Sequence, residues 1–453
     1  MTDQGYVLAT ASVMVALLAW QVLTKRFDPF APVWMFLVGY VQVYVIQAIT
    51  LREWALMIRG VEVVSAANYR ALWALVWFLT VYYAGPGRWI AARLIGPPAA
   101  WSVPAVTILA PALSVFGLYC AWLVMSFATD ASSFTPETAL LTSFPFVTIV
   151  GGILLIVTGR DPQAPRPGLL AAGLAVVLVF TALWIFNGKR SPALIGVLTA
   201  VCAFYVSRRS RPSWAVLVAT AFVASLFVAV AINWRFNKNQ YDRSVGGFVQ
   251  YLGDFELSSI LTSLNISSED DLDSSKYISQ ETLEYGGFLL MLDTVPEKSG
   301  YDYGANYLRC VSTFIPRIVW PEKPLYGREM WVGAWIAGSE LKRDETFAGP
   351  AIGIMGATQL NGGWLGTLVV IAAVATLQRT GYEYFRAHDG VPWVQAWWSL
   401  TYYCAWFMVV ADDPMNWFYY NWGFTTMPAL LLLWVINTVA GQPAARPVAA
   451  AAA

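Results

Sequence analysis

The chain has 453 residues, of which 58% are hydrophobic and only 12% are charged, and its mean hydropathy is +0.54. Soluble domains carry about 25% charged residues, so this composition excludes an ordinary soluble protein and predicts one that crosses a membrane several times. The formal net charge is zero, which argues against nucleic acid as a partner. A single histidine, His388, and the lack of any histidine–cysteine cluster in the sequence argue against a zinc site.

Long apolar runs recur along the chain at about the 20-residue length that a helix needs to span a bilayer. They lie at 5–23, 31–51, 70–84, 101–127, 138–158, 168–186, 191–206, 213–233, 350–377, 391–411 and 418–440. The expected fold is therefore an all-α polytopic membrane protein with about 11 transmembrane helices and a large external loop that contains short helices.

These runs also predict how the chain is divided. About eight helices form a membrane bundle over 1–233, and about three more follow over 350–440. The loop 234–349 between them is too long to be a simple connector, so we expect it to hold the active-site helices. The alanine-rich end, 441–453, has low complexity and is expected to be disordered.

Basic residues in the short loops predict the orientation, because cytoplasmic loops carry the excess of lysine and arginine. The richer set is Lys25, Arg26, Arg88, Arg93, Arg160, Arg166, Arg208, Arg209, Arg211, Arg379 and Arg386. The poorer set is Arg52, Arg59, Arg70, Lys189 and Arg190. The N-terminus and the loop 234–349 are therefore expected outside, and the C-terminus in the cytoplasm.

The second half of the long loop has the strongest helix signals. The segment ETLEYGGFLLMLDTVPEK, from Glu281, predicts a short amphipathic helix that ends at Pro296. The following YGANYLRCVSTFIPRIVW predicts a second helix that Pro316 stops. The glycines of AGPAIGIMGATQLNGGWLG, at 348–366, allow helices to pack closely or the chain to enter the membrane as a broken helix.

Two adjacent cations, Lys189 and Arg190, stand in the stretch FNGKRSPALIG. Gly188 precedes them and a Ser-Pro pair follows, a pattern typical of a helix start. A helix N-terminus is itself electropositive, so two cations beside it are unfavourable unless an anion binds. A pyrophosphate would satisfy both side chains and the free backbone N–H groups. The alternative is that both side chains reach lipid phosphates.

The stretch 301–324, YDYGANYLRCVSTFIPRIVWPEKP, holds Arg309, Arg317 and Lys323 among prolines and aromatic residues. Arg317 follows one proline and precedes a Trp-Pro pair, so its backbone is rigid on both sides and its guanidinium is preorganised for phosphate or carboxylate. The alternative is a bridge to a nearby glutamate or to lipid headgroups. Arg235 and Arg243 are weaker candidates, because the end of a span would account for both.

If these cations bind the phosphate leaving group of a transfer reaction, the enzyme would also need a group that takes the proton of the attacking hydroxyl. Glu284 is the first choice for a general base, since EYGGF places it on a helix just ahead of the arginine segment. The alternative for every such acid is a solvated side chain or an ion pair. The other candidate carboxylates are Asp254, Glu256, Glu281, Asp293, Asp302, Glu322, Asp412 and Asp413.

Four stretches together resemble the Wzy-type O-antigen and exopolysaccharide polymerases over about 187–370. They are the run from Glu284 to Tyr303 and Gly304, the motif FIPRIVWPEKP, the glycine-rich AIGIMGATQLNGGWLG and the upstream GKRSPALIGVL. The resemblance implies a GT-C-type integral-membrane glycosyltransferase of the inner membrane, with no metal or cofactor. Its substrates would be undecaprenyl-pyrophosphate-linked glycans, and a chain-length regulator and a flippase would be its partners.

The resemblance also implies roles for the cations. Arg190 and Arg317 would hold the leaving pyrophosphate, with Lys189, Arg309 and Lys323 in support. Related O-antigen ligases use an external-loop histidine, whereas His388 is predicted to be cytoplasmic, which favours a polymerase. A ligase stays the nearest alternative, and a lipid-linked oligosaccharide transporter or a structural scaffold are alternatives of another class.

Overall fold

The computed structural model describes residues 2–98, 101–127, 144–237, 244–255, 283–298, 300–305, 319–322, 351–410 and 423–439, and also 141, 241, 307 and 315. The side chains of 126, 127, 232 and 235–237 are not described. Within these ranges every regular element is a helix. This confirms the all-helical fold class that the sequence predicts.

Fifteen helices lie in the described part of the chain. In chain order they are α1 Asp3–Leu23, α2 Pro32–Thr50, α3 Arg52–Ala84, α4 Gly87–Ala91, α5 Val103–Phe127, α6 Val147–Gly159, α7 Pro167–Phe186, α8 Arg190–Val206, α9 Trp214–Asn237, α10 Val245–Asp254, α11 Glu284–Thr294, α12 Gly353–Ala387, α13 Pro392–Thr401, α14 Cys404–Val410 and α15 Met427–Val439.

Six of the described helices are long and apolar enough to cross a membrane, which indicates a membrane protein. They are α1, α2, α5, α7, α9 and α12. The predicted number of about 11 spans is not confirmed. Helices α6 and α8 are apolar but have only 13 and 17 residues. The predicted run 391–411 is divided between α13 and α14.

Helix α12 differs from its predicted run at the C-terminal end. It continues to Ala387, so Arg379 and Arg386 lie within its last turns and not in a loop. Arg379 is buried and pairs with Glu383 one turn later, and Glu383 also accepts from Arg88 at 3.2 Å. Pairing at this spacing stabilises the helix beyond the point where its apolar run ends.

The helices form two compact units, and each is made of segments that are distant in the sequence. Unit 1 comprises Met1–Leu94, Ile266–Tyr384 and Cys404–Tyr419. Unit 2 comprises Ile95–Asn265, Phe385–Tyr403 and Tyr420–Ala453. The loop predicted at 234–349 therefore contributes α10 to unit 2 and α11 to unit 1.

The core of unit 1 is aromatic and lies between α2, α3 and α11. The rings of Phe36 and Phe78 stack with centroids 3.6 Å apart, and the ring of Tyr44 meets Phe288 edge-on at 6.0 Å. The Tyr40 hydroxyl donates to the carbonyl of Ala71 at 2.6 Å, so a buried polar tip has a partner. A π-helical segment in α2, Gln42–Gln47, itself makes contact with α11.

Helix α11 corrects the prediction of an amphipathic helix over 281–296. It begins at Glu284 and ends at Thr294, and every residue from Glu284 to Met291 is buried. The reason is tertiary, because α2 and α3 cover faces of α11 that the sequence alone leaves open. A helix that is enclosed on all sides belongs to the core and not to a surface loop.

The core of unit 2 is α6, all of whose residues from Val147 to Gly159 are buried. Helices α5, α7, α8 and α13 pack around it. An apolar helix that is enclosed in this way needs no polar face, which explains why its sequence shows no amphipathic pattern.

Candidate functional site

The turn between α7 and α8 positions Lys189 and Arg190 in unit 2. The N–H of Gly188 donates to the carbonyl of Ile185, and that of Lys189 donates to the carbonyl of Trp184, each at 2.9 Å. This pair of bonds is a Schellman motif, in which a glycine in the left-handed region ends the helix. Gly188 has a φ of 70°, a conformation that side chains with a Cβ rarely adopt.

Helix α8 begins at Arg190, as the Gly188 and Ser-Pro signals predict. Lys189 is its extended N-cap residue, is exposed, and provides no side-chain cap, while Arg190 is half-buried. No carboxylate in the described part of the chain forms an ion pair with Arg190. Lys189 donates its own N–H to Trp184 and Pro192 has none, so the first turn of α8 combines the backbone N–H groups of Arg190 and Ser191, the positive end of the helix dipole and a guanidinium.

An aromatic cluster from α9 and α10 packs on the end of α7 that leads to this turn. The indole N–H of Trp234 donates to the carbonyl of Phe186 at 2.6 Å, and the two rings stack. The Tyr251 hydroxyl donates to the carbonyl of Val230 at 3.1 Å, which ties α10 to α9. These contacts hold the α7 end of the turn in place, so Lys189 and Arg190 follow a segment that is packed against α9 and α10.

One predicted carboxylate, Asp254, lies at the end of α10. It accepts a hydrogen bond from the hydroxyl of Tyr241 at 3.3 Å. Burial, followed by the neighbouring Asp254 carboxylate, raises the pKa of Tyr241. The acid is thus engaged with a tyrosine, and its hydrogen-bonded partner stays protonated at neutral pH.

Glu284, the proposed base, is the first residue of α11 in unit 1 and is buried. Its Oε2 accepts from the Nε2 of Gln47 at 2.7 Å. The Oε1 of the same Gln47 accepts from the backbone N–H of Tyr285 at 3.0 Å. Gln47 thus satisfies the carboxylate and one of the free N–H groups at the helix start, and the helix dipole favours the negative charge there.

The hydrogen-bond chain continues from α11 to the N-terminus of α1. The hydroxyl of Tyr285 donates to Oδ1 of Asn68 at 2.7 Å, and Nδ2 of Asn68 donates to the carbonyl of Asp3 at 3.3 Å. The Asp3 carboxylate pairs with the guanidinium of Arg52 at 2.6 Å. The start of α1, the start of α3 and α11 are therefore linked by polar contacts within unit 1.

A second group of charges surrounds Asp293, another predicted acid. Its carboxylate pairs with Arg59 at 3.2 Å and lies 3.7 Å from the Nζ of Lys298. Asp293 therefore joins the C-terminal part of α11 to α3 through an ion pair. For this acid the structure has the ion pair that the sequence analysis gives as the alternative to a catalytic role.

Helix α12 is broken at Gly362 and Gly363, whose backbone angles are not helical. The sequence leaves close helix packing and a broken helix open for this glycine-rich stretch, and the structure has the break. The segment before the break, from Ile352 to Asn361, is buried in unit 1. Non-helical backbone of this kind persists at membrane depth only where protein or a polar cavity surrounds it.

The chain that leads into the predicted arginine segment docks on this break. The N–H of Asp302 donates to the carbonyl of Leu360 at 2.9 Å, and that of Gly304 donates to Oδ1 of Asn361 at 3.1 Å. A Cβ on Gly363 would lie 2.7 Å from the hydroxyl of Tyr301, so the two segments are in close contact. These contacts fix the start of 301–324 against α12.

Arg70 lies beside the same break and is not among the site residues that the sequence predicts. Its guanidinium donates to the side-chain oxygen of Gln359, whose Nε2 in turn donates to the carbonyl of Val295 at 2.6 Å. It also lies over the ring of Trp364, 4.7 Å from the centroid. Its place at the start of an apolar run is the signal that could have identified it, because a cation beside a span is a functional candidate by default.

Several predicted site residues lie outside the described residues, and their placement stays a prediction. They are Arg243, Arg309, Arg317, Lys323, Glu256, Glu281, Asp412 and Asp413. Arg235 lies in α9, but its side chain is not described. Of the remaining residues, Lys189, Arg190 and Asp254 belong to unit 2, and Glu284, Asp293, Asp302 and the exposed Glu322 belong to unit 1.

No family model matches the chain, and neither a curated protein nor a solved structure shows significant similarity to it. The likeness to polymerases therefore depends on the motifs within the sequence. Any function has to be argued from the chemistry of the sites described above.

Proposed function

We propose that this chain is a membrane glycosyltransferase that polymerises undecaprenyl-pyrophosphate-linked oligosaccharide repeat units on the outer face of the cytoplasmic membrane. The observation that carries the proposal is the start of α8, where Arg190 and Lys189 stand at a helix N-terminus. The motifs of the sequence and the apolar helices support the same function.

The start of α8 has the donors that a pyrophosphate needs. The backbone N–H groups of Arg190 and Ser191 lie in its first turn, and a phosphate group is a suitable ligand for such an end. A guanidinium adds up to five donors in a planar fork that fits phosphate oxygens. Because Arg190 has no carboxylate partner among the described residues, a bound anion would relieve the local excess of positive charge.

The proposed reaction transfers a glycan between two lipid-linked chains. A hydroxyl oxygen at the non-reducing end of one repeat unit attacks the anomeric carbon of the other chain. The bond from that carbon to the pyrophosphate oxygen breaks, and undecaprenyl pyrophosphate leaves with the bonding electron pair. Fixed cations stabilise the charge that develops on the leaving group, and this would be their main contribution to the rate.

The proton of the attacking hydroxyl is assigned to Glu284. A carboxylate has about four acceptor sites, and Gln47 occupies one of those of Glu284. Glu284 is buried in unit 1, and the substitution Glu284→Gln tests whether it takes this proton. The sequence also predicts Arg317, Arg309 and Lys323 as pyrophosphate ligands, and these three lie outside the described residues.

The experiment is the glycan ladder of cells that lack the chain and are complemented at matched protein levels. We expect the null strain to lose long chains and keep single-repeat product, and Arg190→Gln to resemble the null. Arg208→Gln is the matched control, because Arg208 is an exposed arginine just beyond the other end of α8. A wild-type ladder with Arg190→Gln would remove Arg190 from the reaction and leave the proposal without its main support.

Transport of a lipid-linked oligosaccharide is a second candidate, and the break in α12 favours it. Discontinuous helices commonly form the substrate sites of membrane transporters. The same null strain separates the two functions. A transporter predicts that single lipid-linked repeat units accumulate on the cytoplasmic face, whereas a polymerase predicts that they reach the outer face. A ligase predicts fully polymerised glycan that stays on its lipid carrier.

A further inference from the structure

We propose that unit 1 binds an anionic membrane phospholipid in a groove between α3 and α12, with the headgroup phosphate on Arg70 and one acyl chain in the groove. The groove has a volume of about 510 Å³. Its lining includes Trp73, Trp77, Thr80, Trp364 and Leu368. This site lies outside the residues assigned to glycan transfer, so it does not depend on the proposed function.

The groove is apolar and open to the surroundings of the protein. Trp73, Trp364 and Leu368 expose 48%, 40% and 43% of their surface. The indole N–H of Trp77 donates to the carbonyl of Leu368 at 2.9 Å, which holds the two helices together along the groove. Helix α12 is one of the six candidate spans, so the exposed side chains of Trp364 and Leu368 that it contributes to the groove are expected to face the hydrocarbon of the bilayer.

A cation, Arg70, lies beside the head of the groove. Trp364 lines the groove and also stacks against the guanidinium of Arg70. Within the described ranges Arg70 forms no ion pair, and its one side-chain acceptor is the neutral amide of Gln359. Several of its N–H donors are therefore available to a phosphate. Cations near the membrane surface attract anionic lipid headgroups.

The dimensions fit one leaflet of a bilayer. Tyr69, at the head of the groove, and Thr80, at its far end, lie eleven positions apart in α3. At 1.5 Å of rise per residue this is about 16 Å. One leaflet contributes roughly half of the ~30 Å hydrocarbon core. A helical side chain leans toward the N-terminus, so the guanidinium of Arg70 points away from the groove's far end.

Charge complementarity selects the occupant. An apolar helix from another protein or a second copy of this chain would cover the tryptophans but leave the guanidinium without a counter-ion. An anionic phospholipid fills the apolar groove and neutralises the cation at the same time. A zwitterionic phospholipid has the same phosphate, but its own cation lowers the attraction to Arg70.

The test uses the full-length protein, purified in a neutral detergent, with binding measured by native mass spectrometry. The probes are phosphatidylglycerol and phosphatidylcholine with the same acyl chains. We expect phosphatidylglycerol to bind about tenfold more tightly than phosphatidylcholine, and Arg70→Gln to remove that preference. Arg93→Gln is the matched control, because Arg93 also lies over a tryptophan, 3.6 Å from the ring of Trp89, outside this groove.

A second variant tests the acyl chain and does not depend on Arg70. Leu368→Trp fills the exposed groove and is expected to weaken phosphatidylglycerol binding about tenfold while Arg93→Gln binds normally. Equal binding of both lipids to the wild-type protein would overturn the proposal, as would normal binding by Arg70→Gln or Leu368→Trp. Displacement of phosphatidylglycerol by undecaprenyl phosphate at equal concentration would reassign the groove to the lipid carrier. A dimer that excludes phosphatidylglycerol would reassign it to a second copy.

Discussion

The side chains of Gln47 and Glu284 meet at 2.7 Å, although 237 positions separate them in the sequence. This contact brings the end of the second helix onto the first residue of α11, in the middle of unit 1. Among the described side chains, the hydrogen-bond donor to Glu284, the proposed base, is therefore the neutral and buried amide of Gln47. Removing either side of the contact should therefore affect the packing of α11 as well as any proton transfer.

Substitutions of Glu284 separate its structural role from its chemical role. Glu284→Gln keeps an acceptor for Gln47, so we expect the free energy of unfolding to change by less than about 1 kcal/mol. Glu284→Ala leaves the Gln47 amide without its acceptor and should lower that free energy by about 2 kcal/mol. Equilibrium unfolding in mixed micelles measures both changes.

The glycan ladder of Glu284→Gln then tests the base assignment. A glutamine takes up no proton, so a general base at this position predicts that long chains disappear although the protein stays folded. A normal ladder would show that Glu284 only stabilises the start of α11.

The ion pair between Arg59 and Asp293 should show energetic coupling. Arg59→Glu places two acids next to each other, and we expect a clear loss of stability. The double variant Arg59→Glu with Asp293→Arg restores an opposite pair and should recover about 0.5–3 kcal/mol of it. Unfolding of the four proteins in the cycle measures the coupling. Independent, additive effects would mean that the pair contributes nothing to the docking of α11.

Gly363 is expected to resist substitution. Its φ of 59° favours glycine, and an added Cβ would lie 2.7 Å from the Tyr301 hydroxyl. Gly363→Ala should therefore cost about 1–3 kcal/mol and displace the segment that begins at Tyr301. Gly168→Ala is the control, since a Cβ there would have no atom within 4 Å and the residue is in the first turn of α7. Equal stability of the two variants would contradict this account of the break.

The predicted orientation can be measured with single cysteines and a reagent that does not cross the membrane, in a background without the native cysteines. Glu62→Cys and Lys298→Cys are exposed positions on the side predicted to be external. Arg26→Cys and Arg386→Cys are exposed positions on the side predicted to be cytoplasmic. We expect intact cells to label only the first pair and permeabilised cells to label all four. The reverse pattern would overturn the predicted orientation.

Local signals in the sequence are enough to predict several elements. Gly188 and the Ser-Pro pair locate the start of α8, because a left-handed glycine and an early proline constrain the backbone within a few residues. The glycines of 348–366 indicate either close helix packing or a broken helix, and the structure has the break at Gly362 and Gly363. The apolar composition is sufficient to predict the all-helical membrane class.

The sequence does not show which side chains are buried or which residues they contact. The pattern around Glu284 predicts an amphipathic helix, but residues from α2 and α3 enclose α11. The sequence places Arg70 in a loop, but Gln359 and Trp364 hold it at the break in α12. Helix starts and breaks follow from the chain itself, because periodicity and capping depend on residues a few positions apart. Which side chain is buried, and against what, depends on contacts between residues hundreds of positions apart, and these exist only in the folded molecule.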